Sequence, residues 1–158
     1  MPVQIRSPAP EIVLKRRMRG RIGPRIIRAA VFRQASIERL QDAKCLQEAE
    51  RFQGAIYLCG YALECKLKFC VCAARGVTHL EEIEAKSLGH GLDKSLHAAG
   101  LDEKLYKSED LRVAFLRIIR QWSTEIRYSG SARNDRESES FLRDTRALLR
   151  WLETESKS

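Results

Sequence analysis

Wound as a helix, residues 52–74 are apolar around most of their girth, and this segment decides most of what the chain can fold into. Ala55, Ile56, Leu58, Cys59, Ala62, Leu63, Leu67, Phe69, Cys70 and Val71 leave no wide polar face. A helix of that kind belongs in the middle of a bundle, covered on several sides. At ~1.5 Å per residue it is about 35 Å long, and Gly76 is placed to end it. Glu64, Lys66 and Lys68 lie inside it, too many charges for an ordinary membrane span, so no membrane association is expected. One stripe differs from the rest. Gln53, Tyr57, Gly60, Tyr61, Glu64 and Lys68 fall within about 100° of one another at helical spacing. Glycine inside a helix costs ~1 kcal/mol relative to alanine, so Gly60 implies close approach of another backbone, and a second copy of the chain would supply one.

The remaining segments also read as helical, and only 9 glycines and 4 prolines occur in 158 residues, which argues against a β-sandwich or barrel. A first helix is predicted from Ser36 to about Glu50, with Ile37, Leu40, Ala43 and Leu46 on one broad side. Short pieces follow Gly76: a brief helix over 78–86, a turn at Gly89-His90-Gly91, and a helix over 92–99 closed by Gly100. A further helix is predicted over 108–127, with Leu111, Phe115, Ile118 and Trp122 in register, then a polar loop over 129–136 and a last helix over 137–154. The predicted fold is all-α, an up-and-down bundle of four main helices plus a short fifth. It occupies residues 35–154, behind a flexible basic arm over 1–34 and ahead of a disordered tail over 155–158.

The formal net charge is +8, unevenly spread. Residues 1–30 carry Arg6, Lys15, Arg16, Arg17, Arg19, Arg21, Arg25 and Arg28 against Glu11 alone, while the rest hold twenty-one basic and twenty acidic residues. Lys15, Arg16, Arg17, Arg19, Arg21, Arg25 and Arg28 are therefore candidates for salt-dependent, sequence-independent nucleic-acid binding; a solubilising tail accounts for the same charges. The arm lacks the apolar stretch of a secretory signal, and a cytoplasmic location is expected. The five cysteines show no metal-ligand spacing and suit small core residues in a reducing compartment. Neither a metal nor a cofactor is expected.

Residues 57–68 (YLCGYALECKLK) resemble the second helix of HEPN-domain proteins (higher eukaryotes and prokaryotes nucleotide-binding). Residues 90–96 (HGLDKSL) are similar to the His-x-Leu…Leu piece that follows that helix in one prokaryotic branch. Residues 122–128 (WSTEIRY) are similar to its Trp…Arg-Tyr helix end, and 138–152 to its closing helix. The likeness covers about 35–153. It implies an all-α, usually dimeric protein acting on or near RNA and nucleotides, often beside a small nucleotidyltransferase partner in toxin–antitoxin or defence modules.

The ribonuclease branch of that family uses an Arg followed, after four to six residues, by a His. That pair can move a 2′-hydroxyl proton and stabilise phosphorane charge without a metal. The positions five to seven before His79 are Cys72, Ala73 and Ala74; before His90 they are Ile83, Glu84 and Ala85; before His97 they are His90, Gly91 and Leu92. None is arginine, and the positions after Arg127 where a histidine is due hold Ala132, Arg133 and Asn134. The expectation is a non-catalytic binding or regulatory homodimer contacting RNA, a nucleotide or a nucleotidyltransferase. The alternatives are a metal-independent ribonuclease with a rearranged site using Arg127, Arg133 and Glu64, and a helical protein–protein adaptor.

Candidate ligand-binding residues are Arg127, Tyr128, Glu64, Lys68, Tyr57, Tyr61 and Arg133. Arg127 and Tyr128 suit phosphate binding and stacking, or equally an arginine at a helix C-terminus with a tyrosine over the bundle end. Glu64 and Lys68 line a dimer cleft with Tyr57 and Tyr61, or form an i,i+4 ion pair on a solvated face. His90, beside no nucleophile, reads as a turn residue.

Overall fold

The structure, a computed structural model, describes residues 23–129 and 133–157. It is all-α apart from one small two-stranded sheet. Strand β1 (Ile26–Arg28) leads into helix α1 (Ala29–Glu48), and a short turn connects to α2 (Phe52–Arg75). Strand β2 (His79–Glu81) is followed by three short helices, α3 (Glu82–Leu88), α4 (Leu92–Ala98) and α5 (Asp102–Tyr106). Then come α6 (Glu109–Gln121), a 3₁₀ turn η1 (Thr124–Tyr128) and α7 (Asp135–Glu155).

Helix α2 is the centre of the bundle, packed against α1, α4, η1 and α7. Its Ala55, Ile56, Ala62, Leu63, Leu67 and Val71 are buried, as the girth of apolar side chains requires. Ser36 in α1 donates its hydroxyl to the Ala62 carbonyl at 2.7 Å. Gly76 adopts φ 64° and closes α2 with paired bonds from Gly76 N–H to Ala73 O and Val77 N–H to Cys72 O, a Schellman end. No helix among the described residues is long and apolar enough to cross a membrane.

Four elements differ from the sequence expectation. Residues 29–34, assigned to the arm, are the first turns of α1, because Phe32 extends the buried face of Ser36, Leu40 and Ala43 toward the N-terminus. Before it, Ile26 and Ile27 pair with Glu81 and Leu80 in an antiparallel register, so 79–81 are strand where a helix is expected. The short helices number three. Finally, the helix expected to run to Arg127 ends at Gln121: Trp122 and Ser123 are extended, and η1 resumes at Thr124. This break seats the Trp122 indole on α2 and buries Ile126. At the other end of the loop, Asn134 caps α7, accepting from Glu137 N–H while the Glu137 carboxylate accepts from Asn134 N–H.

Of the arm candidates, Lys15, Arg16, Arg17, Arg19 and Arg21 lie outside the described residues. Arg25 pairs with Glu82 at 3.5 Å, and Arg28 is an exposed residue of β1 opposite His79.

Candidate functional site

The stripe singled out in the sequence is one continuous structure, half-buried at Gln53, Tyr57 and Tyr61, and its charged residues are not solvated. Glu64 and Lys68 are 5% and 8% exposed. Lys68 Nζ lies 2.7 Å from Glu64 Oε1. The second carboxylate oxygen, Oε2, is 2.8 Å from His90 Nδ1. A carboxylate accepts only, so the His90 proton on that side belongs to Nδ1, and Nε2 is the nitrogen left for other partners. The imidazole itself is half exposed, at 54%. It therefore connects a buried carboxylate to the surface. The backbone makes this placement possible through Gly89, whose φ of 59° with ψ of −142° is a conformation that side chains rarely adopt.

Tyr61 joins this ion-pair cluster to a second group of residues. Its ring meets His90 edge-on at 5.7 Å, Trp122 at 5.5 Å and Tyr57 at 4.9 Å. The Tyr57 and Tyr61 hydroxyls are 3.2 Å apart. Burial, first, and then the hydrogen bond to Tyr57 and the Glu64 charge hold the Tyr61 phenol well above its ordinary pKa, so it stays a neutral hydroxyl. Trp122 Nε1 donates to the Tyr57 carbonyl at 3.0 Å. A Cβ built on Gly60 would fall inside the Trp122 indole. Glycine at this position admits a ring of the same chain, not the backbone of another, and the sequence expectation is corrected accordingly.

Gln53, one turn before Tyr57, donates its amide to the carbonyls of Ile126 (2.7 Å) and Ser129 (2.8 Å). These bonds fasten η1 to the start of α2 and fix Arg127 beside Tyr57. The Arg127 pKa is raised first by its hydrogen bond with Tyr57 and then by Tyr128, whose ring lies 4.7 Å from the guanidinium carbon. An open cleft of ≈ 600 Å³ begins here, lined by Glu50, Arg51, Gln53, Tyr57, Arg127 and Arg133 among others. Among the described residues, three guanidinium groups and one carboxylate line it.

The structure thus joins the seven ligand candidates: Tyr57, Arg127 and Arg133 line the cleft, Tyr61, Glu64 and Lys68 continue from Tyr57 along α2, and Tyr128 lies against Arg127. Tyr128 is 77% exposed and, like Tyr61, Glu64 and Lys68, does not itself line the cleft. Three participants were not singled out from the sequence as binding residues. Arg51 carries no signal beyond its charge. Trp122 reads as an apolar position of a helix and as the first residue of the 122–128 likeness, with no binding role attached. His90 had the best available signal, a histidine held between two glycines. Among the described residues, no group of three or more His, Cys, Asp or Glu side chains is placed to hold a metal ion.

Chemically, the site offers two things. The arginines of the cleft suit an oxyanion, by bidentate hydrogen bonding and charge. The Glu64–His90 pair is a carboxylate orienting an imidazole, an arrangement that can hold or move a proton at Nε2. No family model, curated protein or solved structure matches the chain.

Proposed function

We propose that the chain is a HEPN-like, non-catalytic binding or regulatory protein that takes an RNA or nucleotide phosphate in the cleft between α2 and η1. The observation that carries this reading is the convergence of Arg51, Arg127 and Arg133 on a cleft lined by Tyr57, with Glu50 as the one opposing charge among the described residues. Tyr57 supplies an aromatic edge and Gln53 pins the segment that bears Arg127, so the cationic group is held in place before a ligand arrives. Homodimerisation and a nucleotidyltransferase partner in a toxin–antitoxin or defence module rest on the resemblance alone, since Gly60 is occupied by Trp122. The test is fluorescence anisotropy with a labelled single-stranded RNA and with ATP as competitor, at low and moderate salt. Arg127→Ala is expected to weaken binding about tenfold or more, by loss of one charge-assisted fork; equal affinity of the two proteins refutes the reading.

A second reading, a metal-independent ribonuclease with a rearranged site, gains support from one contact. His90 on Glu64 supplies the proton-transfer group that arginine and glutamate alone lack. RNA cleavage in the presence of a chelator, abolished in His90→Ala, would favour it over simple binding.

A further inference from the structure

On the opposite side of α2, a second groove of ≈ 530 Å³ runs between α1 and α7. Lys66, which forms part of its floor, projects about 200° around α2 from Glu64 at 100° per residue, so the two sites share no residue. Leu40 and Leu149 are half-buried apolar floor, and Ile37 is 45% exposed beside them. The walls are basic. Arg33 and Lys44 rise from α1, Arg146 and Arg150 from α7. Glu153, the one acid lining the groove among the described residues, is already saturated: it pairs with Lys66, with Arg33 at 2.7 Å and with Lys157 at 3.3 Å. Lys44, Arg146 and Arg150 have no ion-pair partner among the described residues.

We infer that this groove is a docking site for an acidic amphipathic helix of a partner protein. The shape selects a helix. The α1 wall runs from Arg33 to Lys44, about 16 Å at ~1.5 Å per residue, and its lining positions recur at three- and four-residue steps, as do those of α7. Two or three turns of a third helix fill such a trough, with apolar side chains over Ile37, Leu40 and Leu149. The charge selects an acidic flank, since among the described residues five cations and one neutralised carboxylate line the groove. The same charge disfavours a second copy of this chain, because a two-fold contact would set the same basic walls against each other. An RNA strand would satisfy the walls and leave the aliphatic floor without a partner; among the described residues, no aromatic side chain lines the groove for a base to stack on.

The experiment uses the full chain and a fluorescein-labelled 14-residue peptide with leucines at i, i+3, i+4 and i+7 flanked by glutamates, beside a scrambled peptide of identical composition. Saturable binding of the amphipathic peptide, weakened about tenfold by Ile37→Lys and by Arg146→Glu/Arg150→Glu, is expected. Ile37→Lys is the decisive variant: it adds a cation while removing apolar floor, so tighter binding would mean that charge alone attracts the peptide, and the proposal fails. It also fails if the scrambled peptide binds equally, if neither peptide binds, or if single-stranded RNA binds and responds to the same variants. A change of oligomeric state with Ile37→Lys in analytical ultracentrifugation would assign the groove to a second copy and overturn the proposal. Lys44→Glu, at an exposed position, repeats the charge test if the double variant does not fold by circular dichroism.

Discussion

Replacing Gly60 by alanine tests the central packing claim, because two physical effects of opposite sign act on one methyl group. Helix propensity favours alanine by about 1 kcal/mol at a mid-helix position. Against it, the added Cβ falls inside the Trp122 indole, a rigid ring that is buried, hydrogen-bonded through Nε1 to the Tyr57 carbonyl and stacked edge-on to Tyr61. Expelling the ring altogether would expose on the order of 200 Å² of aromatic surface, about 5 kcal/mol at 25 cal/mol per Å². A cheaper response displaces Trp122 with the extended segment that carries it. That costs the upper part of the ~1–3 kcal/mol typical of overpacking, plus about 1 kcal/mol for the hydrogen bond. Net of propensity, Gly60→Ala should destabilise by roughly 2–3 kcal/mol, a Tm loss of about 5–10 °C for a domain this size. Urea unfolding followed by circular dichroism gives the stability change. The fluorescence of Trp122, made the sole tryptophan by Trp151→Phe, reports whether the ring has moved to solvent. A variant that is unchanged, or more stable by the propensity term alone, would refute the placement of Trp122 on Gly60 and with it the geometry of the site.

Glu64→Ala leaves the buried Lys68 without its counter-charge and should cost about 3–5 kcal/mol in urea unfolding, whereas Glu64→Leu combined with Lys68→Met should recover most of it. Glu153 is held at a pKa of about 2, below its ordinary 4.5, by hydrogen bonds from Arg33 and then Lys66. Its contribution is therefore present above pH 4.5 and lost as the pH falls from 4.5 toward 2. Solvent screening of the exposed Arg33 reduces it to about 1–2 kcal/mol, and Glu153→Gln should flatten the stability profile over that window. Burial pushes the thiols of Cys59 up to about 12 and of Cys70 up to about 11, so at pH 8 the exposed Cys45 should be alkylated first, with Cys59 and Cys70 reacting only on unfolding; mass spectrometry of the native, iodoacetamide-treated chain would show the order.

The helical architecture was legible because burial follows periodicity. The apolar girth of α2, its stop at Gly76 and the buried Phe141, Leu148 and Leu152 of α7 are local patterns. The departures arise where a long-range contact overrides local preference. Leu111, Phe115, Ile118 and Trp122 keep helical spacing in the sequence, but Trp122 gains its place on Gly60 only if the helix stops one residue before it. The pairing of β1 with β2 joins segments more than fifty residues apart, and no local pattern at 79–81 announces it. The site was half legible for the same reason. Tyr57, Tyr61, Glu64 and Lys68 share a helix face and can be grouped by arithmetic. His90 and Arg127 arrive from a turn and from η1, and only the fold says which face of α2 they meet.

Three charged side chains of α2, Glu64, Lys66 and Lys68, are buried, and taking each out of water costs several kcal/mol before pairing offsets it. Their pairings differ in kind. Lys66 reaches across to Glu153, which Arg33 also holds, so one carboxylate ties α1, α2 and α7 together. That network has a structural purpose and needs no ligand. The carboxylate of Glu64 is already neutralised by Lys68 on its own helix, yet its second oxygen is committed to an exposed imidazole on a turn built with Gly89. Charge balance does not call for that contact, and a surface histidine gains little stability from it. What it does achieve is orientation: it fixes the tautomer of His90 and turns Nε2 away from the carboxylate, in the same aromatic cluster, through Tyr61 and Tyr57, that reaches Arg127. A fold that needed only to bury α2 could have placed a leucine at 64 and at 68; burial alone does not account for the charges at these two positions, whereas the orientation of His90 does.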